Sequence, residues 1–361
     1  MSLGLPDFPW DTLSVAKSVA SAHPDGIVDL SVGTPVDPTP AFAVEALGTF
    51  GDSPGYPTVW GRPDTRSAII GYLEGRWGSV LLTDEAVLPV IGTKELVAWM
   101  PTLLAMGSED AVVFPECAYP TYEVGAIMAK AQPVPLDDPA QVPANTKLIW
   151  INSPANPSGK VLSLDDMRAF VAVARERGAI LASDECYGEF AWEREPFSVL
   201  DPRVNDGDLT GLLAVHSLSK RSNAAGYRAG FVAGDPAIVQ ELVATRKHLG
   251  MMVPGPIQRV MISLLEDQSH VEQQRERYLA RRVKLKAALE AAGFRVDHSE
   301  GSLYLWATKG ENCRTTVDWL AERGILAAPG DFYGAAAASH VRVALTATDE
   351  RIDAAVARLS A

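Results

Sequence analysis

The residues of this 361-residue chain that could do chemistry stand just after short apolar runs. Leu212–His216 runs into Ser217, Leu218, Ser219 and Lys220, and Arg228 follows beside Gly226 and Gly230. A lysine amine at a strand end can be desolvated, stay partly neutral and act as a nucleophile. The serine hydroxyls and the rigid fork of Arg228 suit a phosphate. Ala179–Ser183 runs into Asp184, Glu185, Cys186 and Tyr187. A buried carboxylate is costly unless paired. Pairing Asp184 with a cationic ring nitrogen would keep that ring an electron sink, with Tyr187 near a phenolic oxygen of the same ring. Lys147–Ile151 runs into NSPANPSG, where Pro157 holds Asn156 toward a ligand. Gly159-Lys160 is no phosphate loop, since Pro154 replaces its first glycine and Val161 its Ser/Thr. Ala86–Ile91 runs into Gly92, Thr93 and Lys94, a turn that can face an anion at a helix N-terminus.

Each cluster has an ordinary alternative: a solvated lysine, a salt-bridged or capping carboxylate, an Asn-Pro turn, or a capped strand–helix turn. Together they describe one site. Thr93, Lys94, Ser217, Ser219 and Arg228 form an anion cradle, Asp184 faces a ring nitrogen, and Asn156 and Tyr187 face a ring oxygen. Lys220 supplies an amine for a Schiff base. A phosphorylated, cationic aromatic aldehyde satisfies that set, and pyridoxal 5'-phosphate is such a molecule.

In open parallel α/β sheets, sites form at the carboxyl ends of strands. Ala86–Ile91, Ala111–Phe114, Lys147–Asn152, Ala179–Ser183, Leu212–His216 and Ala229–Ala233 are apolar throughout, as strands covered on both faces are. Helical patterns lie between them: Lys94–Ala105, a stretch from Thr121, and one to Arg177 that Ser163 and Asp166 open as a capping box. The alternation predicts an α/β fold with a mainly parallel sheet. Past about residue 250 the texture changes. Ile257–Ala292 reads as long and helical, and strand-like Ser302–Ala307 and His340–Leu345 flank a helix at Thr315–Arg323. These features predict a smaller α+β domain, on which the Pro- and Gly-rich first 40 residues are expected to pack.

The formal net charge of -13 argues against a nucleic-acid partner. Cys117, Cys186 and Cys313 are sparse and odd in number, fitting a reduced compartment. The N-terminus lacks a basic-then-apolar leader, and no apolar run approaches membrane-spanning length. A cytoplasmic protein is expected.

From Ser31 to Leu345 the chain resembles the class I/II aminotransferases, the fold-type-I family of pyridoxal-phosphate enzymes. SLSKRSNAAGYRAG is similar to the family's Schiff-base segment, NSPANPSG to its asparagine loop and SDECY to its aspartate–tyrosine pair. The resemblance implies that Tyr119 stacks on the cofactor and that Tyr56, in GYPTVWGRPDTR, reaches a partner subunit's phosphate in a homodimer. It implies that Gly33 lies near the substrate carboxylate and that Arg342, in HVRVAL, clamps it. Thr65 departs from a common leucine. The implied architecture is a mainly parallel seven-stranded sheet in a large domain, residues 41–250. Residues 1–40 and 251–361 make the small domain.

HSLSKRSNAAGYRAGF and GTKELVAW further resemble the branch of succinyldiaminopimelate aminotransferases in lysine biosynthesis. That implies ping-pong transfer from an amino acid to a 2-oxo acid, with Lys220 moving the α-proton. A distal cation should meet a second carboxylate, and Arg62, Lys94, Arg246 and Lys247 are the candidates. β-Elimination on the same cofactor, other substrate specificities and a ligand-sensing regulator remain as rivals.

Overall fold

In the computed structural model, which describes residues 4–360, seven strands form one sheet. They are β1 (Val87–Val90), β2 (Ala111–Phe114), β3 (Gln132–Pro135), β4 (Thr146–Asn152), β5 (Ile180–Asp184), β6 (Leu212–Ser217) and β7 (Gly230–Gly234). Their spatial order is β1-β7-β6-β5-β4-β2-β3. All neighbours are parallel except β7, which runs antiparallel to both β1 and β6. The apolar runs are therefore strands of an α/β sheet, as expected, five of them interior and Val87–Val90 at one edge. β3 has no apolar run because it is an exposed edge strand of sequence QPVP. Prolines are tolerated at an edge, where an N–H is dispensable.

Helices follow from local rules. Ser163 Oγ accepts from Asp166 N at 3.1 Å, and Asp166 Oδ2 accepts from Ser163 N at 3.0 Å, so both partners of the capping box are in place. The helix Leu164–Arg177 then ends at Gly178, whose φ of 59° is left-handed. The stretch expected as one helix from Ile257 is two, Gly255–Glu266 and Ser269–Ala291. Asp267 breaks it: its carboxylate accepts from His270 N at 2.9 Å and Ser269 Oγ at 2.9 Å, caps the second helix and turns the chain.

A second, antiparallel sheet holds β8 (Arg295–Asp297), β9 (Tyr304–Thr308), β10 (Ala328–Pro329) and β11 (Val341–Ala344), in the order β10-β11-β9-β8. Its core includes Leu305, Val341 and Ile352, together with Leu13, Ala16, Ala20, Val28 and Leu30 from the N-terminal segment. Val28–Asp29 pairs in parallel with Ile325–Leu326, which ties that segment down. Val260, Met261, Leu264 and Leu265 of helix Gly255–Glu266 instead pack into the core of the large sheet. The large core thus runs past residue 250, where the change in texture had set its limit. Among the described residues no helix is long and apolar enough to cross a membrane.

Candidate active site

The ends of β4, β5 and β6 and the start of helix Thr93–Leu103 converge on a cavity of about 620 Å³. The N-terminal segment and β9 and β11 close its other side, through Gly33, Tyr304 and Arg342. Twelve of the residues singled out from sequence line it: Gly33, Thr93, Lys94, Tyr119, Asn156, Asp184, Tyr187, Ser217, Ser219, Lys220, Arg228 and Arg342.

β6 ends at Ser217, and Lys220 lies in the short helix Leu218–Arg221 that follows. Its Nζ donates to the Gly33 carbonyl. Burial holds the ammonium below the usual lysine range, and the Arg342 and Arg228 cations push the same way against Tyr304 and Cys186. A larger neutral fraction makes the amine a better nucleophile.

Asp184 closes β5, with its neighbour β4 ending at Asn152. Asn152 Nδ2 donates to the Asp184 carbonyl at 2.8 Å, while its Oδ1 accepts from Asn156 N at 2.7 Å. That one side chain ties the asparagine loop to the aspartate. The Asp184 carboxylate accepts from Tyr122 OH at 2.7 Å and Cys186 N at 3.2 Å. Burial nevertheless raises its pKa, against the donors from Cys186 and Tyr122. No cation lies within ion-pair distance of it among the described residues. Such a carboxylate is short of one positive partner.

Ser217 Oγ accepts from Ser219 N at 3.1 Å, and both serines face the cavity. Arg228 has a left-handed φ of 54°, and its Nη1 donates to Ala225 O at 2.9 Å. Its guanidinium crosses directly over Gly92. A Cβ there would lie 2.7 Å from the guanidinium carbon, and φ at Gly92 is +75°, so only glycine fits. Gly92 shapes this cradle from behind while Thr93 and Lys94 open the eleven-residue helix toward it.

Arg342 is buried, at 3% exposure. Its Nη1 donates to Asn156 Oδ1 at 2.8 Å and its Nη2 to Ser31 O at 2.7 Å. Its Nε has no partner among the described residues, and no carboxylate pairs with it there. Its guanidinium carbon sits 4.0 Å from the ring centroid of Tyr304. A buried cation with only neutral partners is an anion site in waiting.

The distal-cation candidates separate. Arg246 is fully buried and pairs with Glu95 at 3.0 Å, so it is structural. Arg62 pairs with Asp64 at 2.9 Å, and neither it nor Lys247 lines the cavity. Lys94 does, its Nζ 5.7 Å from the Phe8 ring. Lys17, in helix Ser14–Ser21, joins it at the mouth. Sequence reading passed over Lys17, which no motif marks, and also over Tyr122, Tyr304, Phe8 and Trp10. Tyr56 is 98% exposed and away from its own chain's cavity. Tyr119 meets Tyr122 edge-on at 5.8 Å.

Comparison with known proteins agrees with this geometry. Residues 25–359 match the family model for aminotransferase class I and II. The chain is 58% identical to a Mycobacterium tuberculosis protein called a probable aminotransferase, covering 100% of this chain and 86% of that one. It is 54% identical to the 4-dedimethylamino-4-oxo-anhydrotetracycline transaminase OxyQ of Streptomyces rimosus, covering 99% of each. An LL-diaminopimelate aminotransferase of Aquifex aeolicus is 30% identical over 98% of this chain and 96% of its own. Among solved structures, an aminotransferase from Neisseria meningitidis superposes with a TM-score of 0.89 at 28% identity, over 99% of this chain and 97% of that one. The chain therefore belongs to the class I and II aminotransferases, transaminases of fold type I that work with pyridoxal 5'-phosphate.

Proposed function

We propose that Lys220 carries the cofactor and that the enzyme transfers an amino group between glutamate/2-oxoglutarate and N-succinyl-LL-2,6-diaminopimelate and its 2-oxo counterpart. The observation that carries the first part is Asp184, a buried carboxylate with two neutral donors and no cation. A protonated pyridine nitrogen is the partner it lacks, and the glycine-backed Arg228 cradle with Ser217, Ser219, Thr93 and Lys94 fits the phosphate. Asn156 and Tyr187 take the ring oxygen and Tyr119 the ring face.

When bound, the cofactor supplies an electron sink for the bond broken at the substrate's α-carbon. This chain's residues do the rest. Arg342 and Asn156 hold the α-carboxylate and orient the α-hydrogen. Lys220, whose burial favours its neutral form, takes the proton from the α-carbon and returns it two atoms along, a 1,3 shift. Asp184 stabilises the positive charge at the ring nitrogen. Gly33 holds the lysine amine through its carbonyl.

Lys17 and Lys94 support a substrate with a second carboxylate. Both are exposed at the cavity mouth, and neither is ion-paired among the described residues. The likeness to OxyQ favours a second reading, amination of a large polycyclic ketone, for which Phe8 and Trp10 offer an apolar wall. A coupled 2-oxoglutarate assay separates the two. Turnover of the succinylated amine that falls about tenfold or more in Lys17→Ala, with the cofactor still bound, supports the first reading. Turnover confined to the ring ketone, or insensitive to Lys17→Ala, supports the second.

The same reading takes the exposed Tyr56 into a partner's site in a homodimer, and three free thiols support a cytoplasmic setting. The division into a small domain, residues 1–40 and the C-terminal part, is supported by its separate core, although residues 1–3 and 361 lie outside the described residues.

A further inference from the structure

We infer that Tyr304 is a positioning residue for the transamination: its hydroxyl donates to the Tyr187 hydroxyl and so leaves the Tyr187 hydrogen free to face the cavity. The inference rests on the assignment of the cofactor to Lys220 and of its ring oxygen to Tyr187.

Tyr304 opens β9 and is buried, yet lines the cavity. Its hydroxyl lies 2.9 Å from that of Tyr187, with the rings edge-on and their centroids 5.6 Å apart. Two hydroxyls at this distance share one hydrogen, and the other must point elsewhere. Around Tyr304 the alternatives are poor. Arg342 lies over its ring at 4.0 Å and carries only donors. Lys220 is a second donor, already committed to Gly33 O. On the remaining side Gly33 lies against the hydroxyl end of the phenol, where a Cβ would come 2.1 Å from the oxygen and 2.6 Å from the ring. Tyr187 is the hydrogen-bond partner the structure gives the Tyr304 hydroxyl, and with Tyr304 donating, the Tyr187 hydrogen is left for the cavity.

Burial pushes the Tyr304 phenol up, but Arg342, then Lys220, then the hydrogen bond with Tyr187 outweigh it and leave it below the usual tyrosine range. Burial, then Tyr304, holds Tyr187 well above that range. The other titratable groups facing the pair are Cys186, Tyr119, Tyr278 and Tyr333, all pushed up by burial and hence neutral near pH 7.

The test is the pH titration of the visible band of the pyridoxal-phosphate-loaded enzyme. Tyr187 without its donor is a weaker donor to the ring oxygen, so the deprotonated chromophore loses stabilisation and the midpoint rises. Tyr304→Phe should raise it by about 0.4–1 pH unit. Gly33→Ala, which pushes the ring aside but keeps the phenol, should move it the same way. Tyr187→Phe should raise it further, and Tyr187→Phe/Tyr304→Phe should match Tyr187→Phe alone. A Tyr304→Phe midpoint within about 0.2 unit of wild type, beyond which a hydrogen bond would register, overturns the inference. So does a shift that persists undiminished in the Tyr187→Phe background. Absence of a visible band from the wild type removes the Lys220 assignment itself, and the inference with it.

Discussion

Replacing Arg342 by methionine should separate function from stability. The guanidinium is 3% exposed and holds Asn156 Oδ1 and Ser31 O, with its Nε unpartnered and no carboxylate nearby among the described residues. In the substrate complex it gains a carboxylate, and losing one partner of a buried pair costs about 3–5 kcal/mol. At about 1.36 kcal/mol per factor of ten, kcat/KM should fall about 10²–10⁴-fold. The free protein should behave otherwise. Methionine relieves an uncompensated buried charge, worth several kcal/mol, but strands two acceptors at about 1–3 kcal/mol each. These terms nearly cancel, so stability should change by less than about 2 kcal/mol in either direction. Steady-state kinetics with glutamate and urea melts of the cofactor-free protein measure both. A kcat/KM loss below tenfold, or a collapse of the free protein's stability, would refute the reasoning.

Lys220→Ala should lose at least about four orders of magnitude of turnover, because nucleophile and proton carrier go together; stopped assays with high enzyme read it, and near-normal rates contradict it. Asp184→Asn should raise the stability of the cofactor-free protein at pH 7 by about 1–3 kcal/mol while abolishing most activity. The sign follows from its raised folded pKa. The protonated form suits the fold, so this group's contribution is present at low pH and is lost as pH rises through the folded pKa. In the wild-type cofactor-free protein, stability should therefore fall across that range more than in Asp184→Asn, as parallel thermal melts would reveal. Gly92→Ala should raise the dissociation constant for pyridoxal phosphate about 10–100-fold, since a side chain there displaces the Arg228 fork at a positive φ; unchanged binding by fluorescence titration would be the contrary result.

The sheet was readable because six of its seven strands are mostly buried and carry an unbroken apolar run. β3 escaped because an edge strand with two prolines carries no such run. The break at Asp267 was hidden for a related reason: helical periodicity persists on both sides, and a single capping carboxylate makes the turn. In the site, residues that follow strand ends in fixed order could be assembled from sequence alone. Tyr304 and Lys17, which line the cavity, and Tyr122, which reaches Asp184 from behind it, could not, because each comes from an element placed there by tertiary packing. Arg246 shows the converse. Its charge made it a candidate, but full burial against Glu95 is a property of packing that composition does not reveal.

The most direct test is the absorbance spectrum of the purified protein with pyridoxal phosphate, before and after L-glutamate, alongside Lys220→Ala. A visible band that glutamate bleaches, with oxoglutarate appearing in equal amount, is the predicted result, and Lys220→Ala should lack the band. A protein that takes up no cofactor, or a Lys220→Ala variant with the same band and the same bleaching, would contradict the central claim.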